Sequence, residues 1–270
     1  MQLEIVWVGS QPLVQLEKMS ANIVLHVVDT LPEAEQYLAG QHHVVLLVIS
    51  QDYPEQITQS EIASFHRLSP TTRIIQIAGQ WCEGDMRTGR RLDGVWRIYW
   101  HQAETRLTRE ILELVQNRPP IWRLPLTATA DEQALRGTDG QETASLRGLR
   151  IAVDAVAAET TAGLSTALVA SGACLIGPPT TAEVDDIEAI VWDDERRSLD
   201  AELTVRRLSR DFPSSPIVAL LGFPREPTTL WTEGRPVRVL AKPFDLRDLT
   251  WELRIATGKS PIASACERAG

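Results

Sequence analysis

The chain has 270 residues, 43% of them hydrophobic, which is enough for two domains of ordinary size, each with its own core. Its formal net charge of −9 and the absence of a basic tract argue against binding to nucleic acid through the phosphate backbone. Three widely spaced cysteines indicate neither a disulfide framework nor a zinc site, and no apolar run has the length of a membrane span, so we expect a cytoplasmic protein without membrane contact.

The first 117 residues alternate short apolar runs with helical patterns. Strands are predicted at 3–8, 22–28, 43–49, 73–77 and 95–99. Helices are predicted from about Pro12, at 32–39, at 60–68 with Ser60 as the cap, and around Leu107, Ile111 and Leu114. The run HVVLLVI is the most apolar in the chain, so we expect that strand to lie at the centre of the sheet.

Residues 118–147 begin with two prolines and then lose all periodicity, which predicts a linker. The second block, 148–257, repeats the first, and 258–270 form a tail. Its strands are predicted at 150–153, 173–176, 187–192, 216–221 and 237–241, and its helices at 161–170, at 199–212 and after Asp245. Alternating strands and helices predict an α/β fold: two doubly wound, flavodoxin-like domains in tandem, each with a five-stranded parallel sheet.

The junction VRVLAKPFDLRDLTWEL joins the last predicted strand to the last helix. Asp245 is placed to cap that helix, and Asp248 follows three residues later, facing the positive helix end. Lys242, one of three lysines among 27 basic residues, lies at the carboxyl end of the strand. Open α/β sheets bind their ligands at this edge, so we predict a functional lysine. The alternative is a solvated lysine before a turn proline.

Two further features of the second block accompany this AKPF motif: Asp154 near the end of its first strand, and Asp193 in EAIVWDD at the end of its third. Together they resemble the receiver domain of two-component response regulators. The resemblance implies that Asp193 accepts a phosphoryl group, that Asp154 and Asp193 hold Mg²⁺, and that Lys242 contacts the phosphoryl oxygens. A hard cation and an ammonium would offset the repulsion between a carboxylate nucleophile and an incoming anion.

The second block departs from the receiver pattern in two places. Ala155 and Val156 follow Asp154 where the family has a second acid, and Leu221 and Gly222 stand where it has a serine or threonine. The segments 177–186 and 222–236 are too short or too rich in proline for full helices. We therefore expect a pocket that does not sustain regulated phosphorylation. In the alternative interpretation, Asp193 and Asp194 only begin a polar loop or cap a helix.

The first block has the order of the receiver elements without the pocket. The corresponding pairs are Gly9-Ser10, Ser50-Gln51, Ala78-Gly79 and Trp100-His101. Asp52 lies two residues beyond the predicted strand end, so it receives no role. We expect a receiver fold without phosphoryl-transfer chemistry.

The segment 80–102 of the first block is unusually rich in tryptophan and arginine. These residue types dominate binding hot spots, because they offer a large amphipathic surface with few rotamers to freeze. The candidates for partner binding are Trp81, Arg87, Arg90, Arg91, Trp96, Trp100 and His101. In the competing interpretation, Trp96 and Trp100 alternate with Ile98 in a strand and pack internally, and the arginines cap loops or contact the second domain. An anion-binding arginine pocket is a third alternative.

We therefore predict a non-enzymatic signalling or scaffold protein of two degenerate receiver-like domains that acts through protein contacts, with a histidine kinase or another signalling protein as partner. In the alternative, the chain is a response regulator whose second domain accepts a phosphoryl group at Asp193 with Mg²⁺. A third reading, an enzyme that binds a nucleotide or flavin, fits the fold but has no motif in its favour. Apart from Mg²⁺ in the second domain we expect no cofactor, and the sequence specifies no oligomeric state.

Overall fold

The computed structural model describes residues 3–9, 23–40, 43–82, 84, 92–125, 146–179, 186–194, 199–222 and 237–259. The chain divides near residue 133 into two compact units, each built around one sheet of five parallel strands. This confirms the predicted α/β class with two doubly wound sheets. Within the ranges given above, none of the helices is both long and apolar enough to cross a membrane.

The first unit contains five strands and three α-helices among its described residues. The strands are β1 (Leu3–Val8), β2 (Ile23–Val28), β3 (Val44–Gln51), β4 (Arg73–Ala78) and β5 (Val95–Tyr99). The helices are α1 (Leu31–Gly40), α2 (Gln59–Leu68) and α3 (Trp100–Val115). The sheet order is β2-β1-β3-β4-β5, so β3 is central, as its apolar sequence predicted.

Alternating side chains of the first sheet enter two different layers. Val6, Val8, Leu47 and Ile49 pack in one core cluster with residues of α1 and α2. Side chains of the opposite parity, such as the fully buried Trp7, face the other side of the sheet. Both faces are therefore covered, which is why β3 lacks the polar alternation of a half-exposed strand.

The N-cap of helix α2 lies two residues before the cap predicted from the sequence. Ser60 was predicted to be the N-cap, and this is wrong: the N-cap is Thr58. The Thr58 hydroxyl accepts a hydrogen bond from the Glu61 backbone N–H at 3.3 Å, and the Glu61 carboxylate accepts one from the Thr58 N–H at 2.7 Å. This reciprocal capping box satisfies two donors that a cap at Ser60 would leave open.

The second unit repeats the arrangement. Its strands are β6 (Arg150–Ala155), β7 (Cys174–Ile176), β8 (Ala189–Asp194), β9 (Ile217–Gly222) and β10 (Val237–Lys242). Its helices are α4 (Ala158–Ala170), α5 (Leu199–Asp211) and α6 (Leu246–Ala256). The order β7-β6-β8-β9-β10 is the order of the first sheet, counted from the first strand of each unit. Asp245 and Asp248 form a capping box at the start of α6, which confirms the predicted cap.

Two cores cover the faces of the second sheet. Ile151, Val191, Leu220 and Leu240 pack on one face with residues of α4 and α6. Residues of the opposite parity, including Trp192, Ala219 and Leu221, pack on the other face with residues of α5. A strand residue can therefore be assigned to the α4/α6 face or the α5 face by its parity.

Some element ends differ from the predictions. Strand β8 runs to Asp194, two residues further than predicted, and α4 begins at Ala158 rather than Thr161. The N-cap of α4 is Ala157, which makes no side-chain hydrogen bond, so no capping residue marks this helix start in the sequence. A capless start of this kind cannot be located from composition alone.

Both ends of the segment predicted as a linker carry packed residues. Trp122 lies in the 3-10 turn Ile121–Arg123, is buried, and packs against Trp96 with ring centroids 5.6 Å apart. The Ile121 backbone N–H donates to the Glu110 carboxylate at 2.6 Å. At the other end, Leu146 belongs to the α4/α6-face core of the second unit. The predicted domain boundaries stay predictions, but each unit uses part of the range 118–147.

Several predicted features lie outside the described residues. They are the helix from Pro12, most of the linker, parts of the segments 177–186 and 222–236, nearly all of the tail 258–270, and Arg87, Arg90 and Arg91.

Candidate functional site

The carboxyl edge of the second sheet brings Asp193 and Lys242 into direct contact. The Lys242 Nζ lies 2.9 Å from Oδ1 and 2.8 Å from Oδ2 of Asp193, so the ammonium contacts both carboxylate oxygens. The side chain of Asp193 is 6% exposed and that of Lys242 is 26% exposed. The two residues therefore form a largely buried ion pair, in which the lysine compensates the desolvated carboxylate.

Strand parity explains how these residues meet although β8 and β10 are not neighbours. Asp193 has the parity of Val191 and Lys242 that of Leu240, so both belong to the α4/α6 face. Between them lies β9, where Leu220 is the register partner of Asp193 and also of Leu240. The lysine side chain therefore spans the width of one strand at the sheet edge.

Asp154 occupies a different environment. Its register partner is Trp192, whereas Ala155 is the partner of Asp193. Asp154 therefore has the parity of the α5 face, and the charge of Arg207 in that helix acts on its carboxyl. Burial raises the pKa of the Asp154 carboxyl above its ordinary value, and the Arg207 charge opposes this in part.

The described residues do not fit the magnesium site that the receiver resemblance implies. Parity separates Asp154 and Asp193 onto opposite faces, and the residue beside Asp193 is Ala155. The hard-cation ligands would be carboxylate oxygens, but those of Asp193 are already bound by the Lys242 ammonium. Over the part of the chain that the structure covers, no group of three His, Cys, Asp or Glu side chains is placed to hold a metal ion.

The remaining residues at the carboxyl edge of the second sheet are Asp194, the last residue of β8, and Leu221 and Gly222 at the end of β9. Asp193 and Asp194 are both buried strand residues, so the alternative of an exposed polar loop start or helix cap is wrong. Asp194 pairs with Leu221 in register, and Gly222 pairs with Lys242. The neighbouring strand thus supplies an apolar side chain and a glycine where a receiver has its hydroxyl.

The first unit has the same register at the corresponding edge but different residues. Val8 pairs with Ile49, so Gly9 lies beside Ser50 as Ala155 lies beside Asp193. A Cβ at Gly9 would stand only 3.0 Å from the Ser50 Cβ, and Gly9 has φ +124°, a value that favours glycine. A glycine packed against the Ser50 side chain thus stands at this edge, without an acid at either position.

Trp81 lies at the carboxyl edge of the first unit, in the 3-10 turn Gln80–Cys82 after β4. It is 70% exposed and stacks on Tyr53, which is 59% exposed and lies in the loop after β3. Their ring centroids are 6.4 Å apart with an interplanar angle of 21°. We call this pair the aromatic platform. Tyr53 was missed by the sequence analysis, since it belongs to a different loop from the tryptophan-rich segment.

The other candidates of segment 80–102 take different positions. Trp96 packs on Trp122, so the internal-packing interpretation describes it correctly. Trp100 is the first residue of α3, so its predicted place in a strand with Ile98 is wrong, because β5 ends at Tyr99. His101, also in α3, stacks on Tyr99 with ring centroids 5.8 Å apart.

A buried polar network holds the two loops of the platform. Gln76 donates to the Gln51 side-chain oxygen, and Gln51 in turn donates to the Tyr53 carbonyl at 2.7 Å. The Cys82 thiol contacts the Gln51 carbonyl at 3.6 Å, and Arg97 donates to the Cys82 carbonyl at 2.9 Å. In the sequence, these residues are marked only by Gln51 and Gln76, two glutamines in strands that are otherwise mostly apolar.

Comparisons with known proteins identify no family for this chain. No family model matches it, and no curated protein matches it. Solved structures give likenesses over one or both units. A protein from Burkholderia pseudomallei described as pilus assembly-related is 19% identical, with a TM-score of 0.35 over 42% of this chain and 91% of that chain.

Two further solved structures match nearly the whole chain. One is described as a two-component system response regulator/GGDEF domain protein, 10% identical, with a TM-score of 0.33 over 99% of both chains. The other is the C-terminus of E. coli RcsC with a linker region and a phosphoreceiver domain, 11% identical, with a TM-score of 0.34 over 96% of this chain and 94% of that chain. At these TM-scores and identities, the likenesses assign no function.

Proposed function

We propose that the chain is a non-enzymatic, cytoplasmic signalling or scaffold protein made of two degenerate receiver-like units that act through protein contacts. The observation that carries this proposal is the Asp193–Lys242 pair. The Asp193 side chain is buried and held by the ammonium at both oxygens, and the residue beside it is Ala155 rather than a second acid that could help to hold Mg²⁺. The lysine compensates the charge of a carboxylate that would otherwise be buried and unpaired.

Two further features of the same edge support a structural role. A phosphoryl group on Asp193 would find Leu221 and Gly222 on the adjacent strand, and neither carries a hydroxyl that could follow the phosphate. Asp154, the second acid of the resemblance, belongs to the α5 face. The chemistry that would offset the repulsion between a carboxylate and a phosphoryl anion is thus reduced to one lysine.

The second candidate function is a phosphoacceptor at Asp193. The favourable observation is the position of Lys242, whose ammonium lies 2.8 Å from the Asp193 carboxylate at the strand end. From there the same ammonium could contact the oxygens of a phosphoryl group carried by Asp193. A histidine kinase would then be the partner, and the chain would be a response regulator.

Intact mass spectrometry separates these two functions. The full chain is incubated with acetyl phosphate and Mg²⁺, alongside the variants Asp193→Asn and Asp194→Asn, and folding of each is checked by circular dichroism. We expect no phosphate-sized gain in any of the three. A gain in the wild type and in Asp194→Asn that is lost in Asp193→Asn would replace the scaffold proposal by the phosphoacceptor.

A further inference from the structure

Among the residues that the structure describes, the large aromatic side chains that are exposed are Tyr53 and Trp81, and the platform stacks these two rings on each other. Trp81 is more exposed than the other large hydrophobic residues that the structure describes as exposed. Leaving an indole in water is unfavourable, because it forgoes the burial of a large apolar area. Isolated exposed apolar side chains need no explanation, but two stacked rings from separate loops leave outer faces on which a planar ligand group can lie.

The platform is held in place before any partner arrives. Gly79 makes this possible, because a Cβ there would come within 2.9 Å of the Gln51 carbonyl and 3.0 Å of the Asp52 Cα. The Gly79 N–H donates to the same Gln51 carbonyl at 2.7 Å, and the Cys82 N–H donates to the Gly79 carbonyl at 3.0 Å. The loops after β3 and β4 are therefore joined directly at their bases, two residues before each ring.

The turn that carries Tyr53 is also fixed and is acidic. The Gln56 side-chain oxygen accepts from the Asp52 N–H at 2.8 Å and from the Tyr53 N–H at 3.3 Å. Asp52 and Glu55 are exposed, and Glu55 has φ 62°, a left-handed conformation that is unusual for a residue with a side chain. Two carboxylates thus stand in the turn that presents one ring of the platform.

From this combination we infer that the aromatic platform binds an arginine side chain in an extended basic segment of a protein partner. A guanidinium stacks flat on an indole or phenol ring and donates paired hydrogen bonds to a carboxylate, which a lysine ammonium cannot do in the same way. Asp52 and Glu55, which lie exposed in the same turn as Tyr53, are the carboxylates available to such a guanidinium. The same carboxylates repel phosphates, so a nucleic acid does not fit this surface.

This inference rests on the proposed function, because it names the chemistry of the partner that a contact-based protein requires. It uses residues of the first unit alone. Phosphorylation of Asp193 would overturn the scaffold role and leave the platform intact, whereas loss of arginine binding would overturn only the platform.

Fluorescence anisotropy tests the platform in the full chain. The probe is a labelled octapeptide of alternating arginine and glycine, compared with lysine-glycine and glutamine-glycine peptides of the same length. We expect the arginine peptide to bind best, and Trp81→Ala to weaken its binding about 5- to 30-fold, as truncation of a hot-spot residue does. Tyr53→Ala and Asp52→Asn should weaken it as well, although by a smaller factor.

The net charge of −9 would attract any cationic peptide, so the controls separate stacking from general attraction. Leu203→Ala changes an exposed hydrophobic residue of the second unit, 62% exposed, and should leave binding unchanged. Equal affinities of wild type and Trp81→Ala, or of the arginine and lysine peptides, would overturn the inference. So would self-association of the wild type that Trp81→Ala abolishes in sedimentation velocity, because the occupant would then be a second copy of the chain.

Discussion

The carboxyl edges of the two sheets can be compared position by position, because strand order and register agree. Ser50 in the first unit corresponds to Asp193 in the second, and Gly9 corresponds to Ala155. Trp100 stands at the place of Lys242 but begins a helix. One edge contains a buried ion pair, and the other contains a hydroxyl, a glycine and an aromatic ring.

The two edges are stabilised by different physical means. In the second unit the acid on the central strand is neutralised by a lysine two strands away. At the corresponding positions of the first unit no acid is present: Ser50 stands in place of Asp193, and beside it the buried amide of Gln76 donates to that of Gln51. The same fold therefore forms with and without a charged pair at this edge, and where the pair is present, removing one partner alone leaves a buried charge uncompensated.

Removing Lys242 should change the free energy of unfolding more than the other substitutions that follow. Lys242→Met leaves Asp193 buried and unpaired, and we expect a loss of about 2 to 3 kcal/mol in the free energy of unfolding. This is less than the roughly 3 to 5 kcal/mol of a fully buried pair, since Lys242 is partly exposed. Urea unfolding of the full chain measures this loss.

The double variant Asp193→Leu/Lys242→Met tests the comparison of the two sheet edges, because it gives the second unit a carboxyl edge without the ion pair, like that of the first. It should recover most of the stability that Lys242→Met loses, since neither charge remains buried. A double variant as unstable as the single one would mean that the pair contributes net stability and is not merely balanced.

The sequence predicted the sheets better than the site. Apolar runs such as HVVLLVI located all ten strands, because buried parallel strands need continuous hydrophobicity and turns interrupt it. Asp245 correctly predicted the start of the last helix, because the two residues of a capping box have a fixed spacing of three. These are local signals, carried by neighbouring residues.

The site depended on relations that local patterns do not contain. Which face Asp154 occupies follows from its exact register against β8, and a shift of one residue would reverse it. The contact between Tyr53 and Trp81 joins two loops, and depends on a glycine that lets the loops approach. Composition alone identified Trp81 as a candidate but could not predict that Tyr53 stacks on it.

Breaking the hydrogen bond between the Gln76 and Gln51 amides of the first unit should lower the free energy of unfolding by an intermediate amount. Gln76→Leu removes the donor to Gln51 and leaves a buried amide oxygen without it, which costs about 1 to 3 kcal/mol. Because Gln51 also holds the Tyr53 carbonyl, the variant should weaken arginine-peptide binding to the platform. Urea unfolding and peptide anisotropy on the same sample measure both effects.

The matched variant is Gln51→Leu/Gln76→Leu, which removes both amides. The double variant should lose less stability than two single losses would add up to, because no buried side-chain amide is left unsatisfied and only the part-buried Tyr53 carbonyl loses its donor. Unchanged stability in Gln76→Leu would show that the Gln51 oxygen finds another donor, and that the network does not fix the edge.

Substituting Asp154 should change the free energy of unfolding least. The sign of that change shows whether the cost of burying Asp154 or its attraction to Arg207 is larger. Burial raises the pKa of Asp154 above 3.8, so the folded state binds this proton more tightly than the unfolded state does. Stability therefore falls as the pH rises from 3.8 through the raised pKa, and the cost persists at neutral pH. Asp154→Asn should then stabilise the chain at pH 7 by less than about 0.5 kcal/mol, a small value because the side chain is only partly buried.

The gain of Asp154→Asn should vanish below pH 3.8, where the carboxyl is protonated in both states. The first unit carries Val8 at the corresponding position, so an uncharged residue is compatible with this edge of the fold. Urea unfolding of wild type and variant at several pH values gives the difference directly. A loss of stability at pH 7 would instead mean that the attraction between ionised Asp154 and Arg207 outweighs the cost of burial, and that the second unit keeps two compensated acids, one on each face of its sheet.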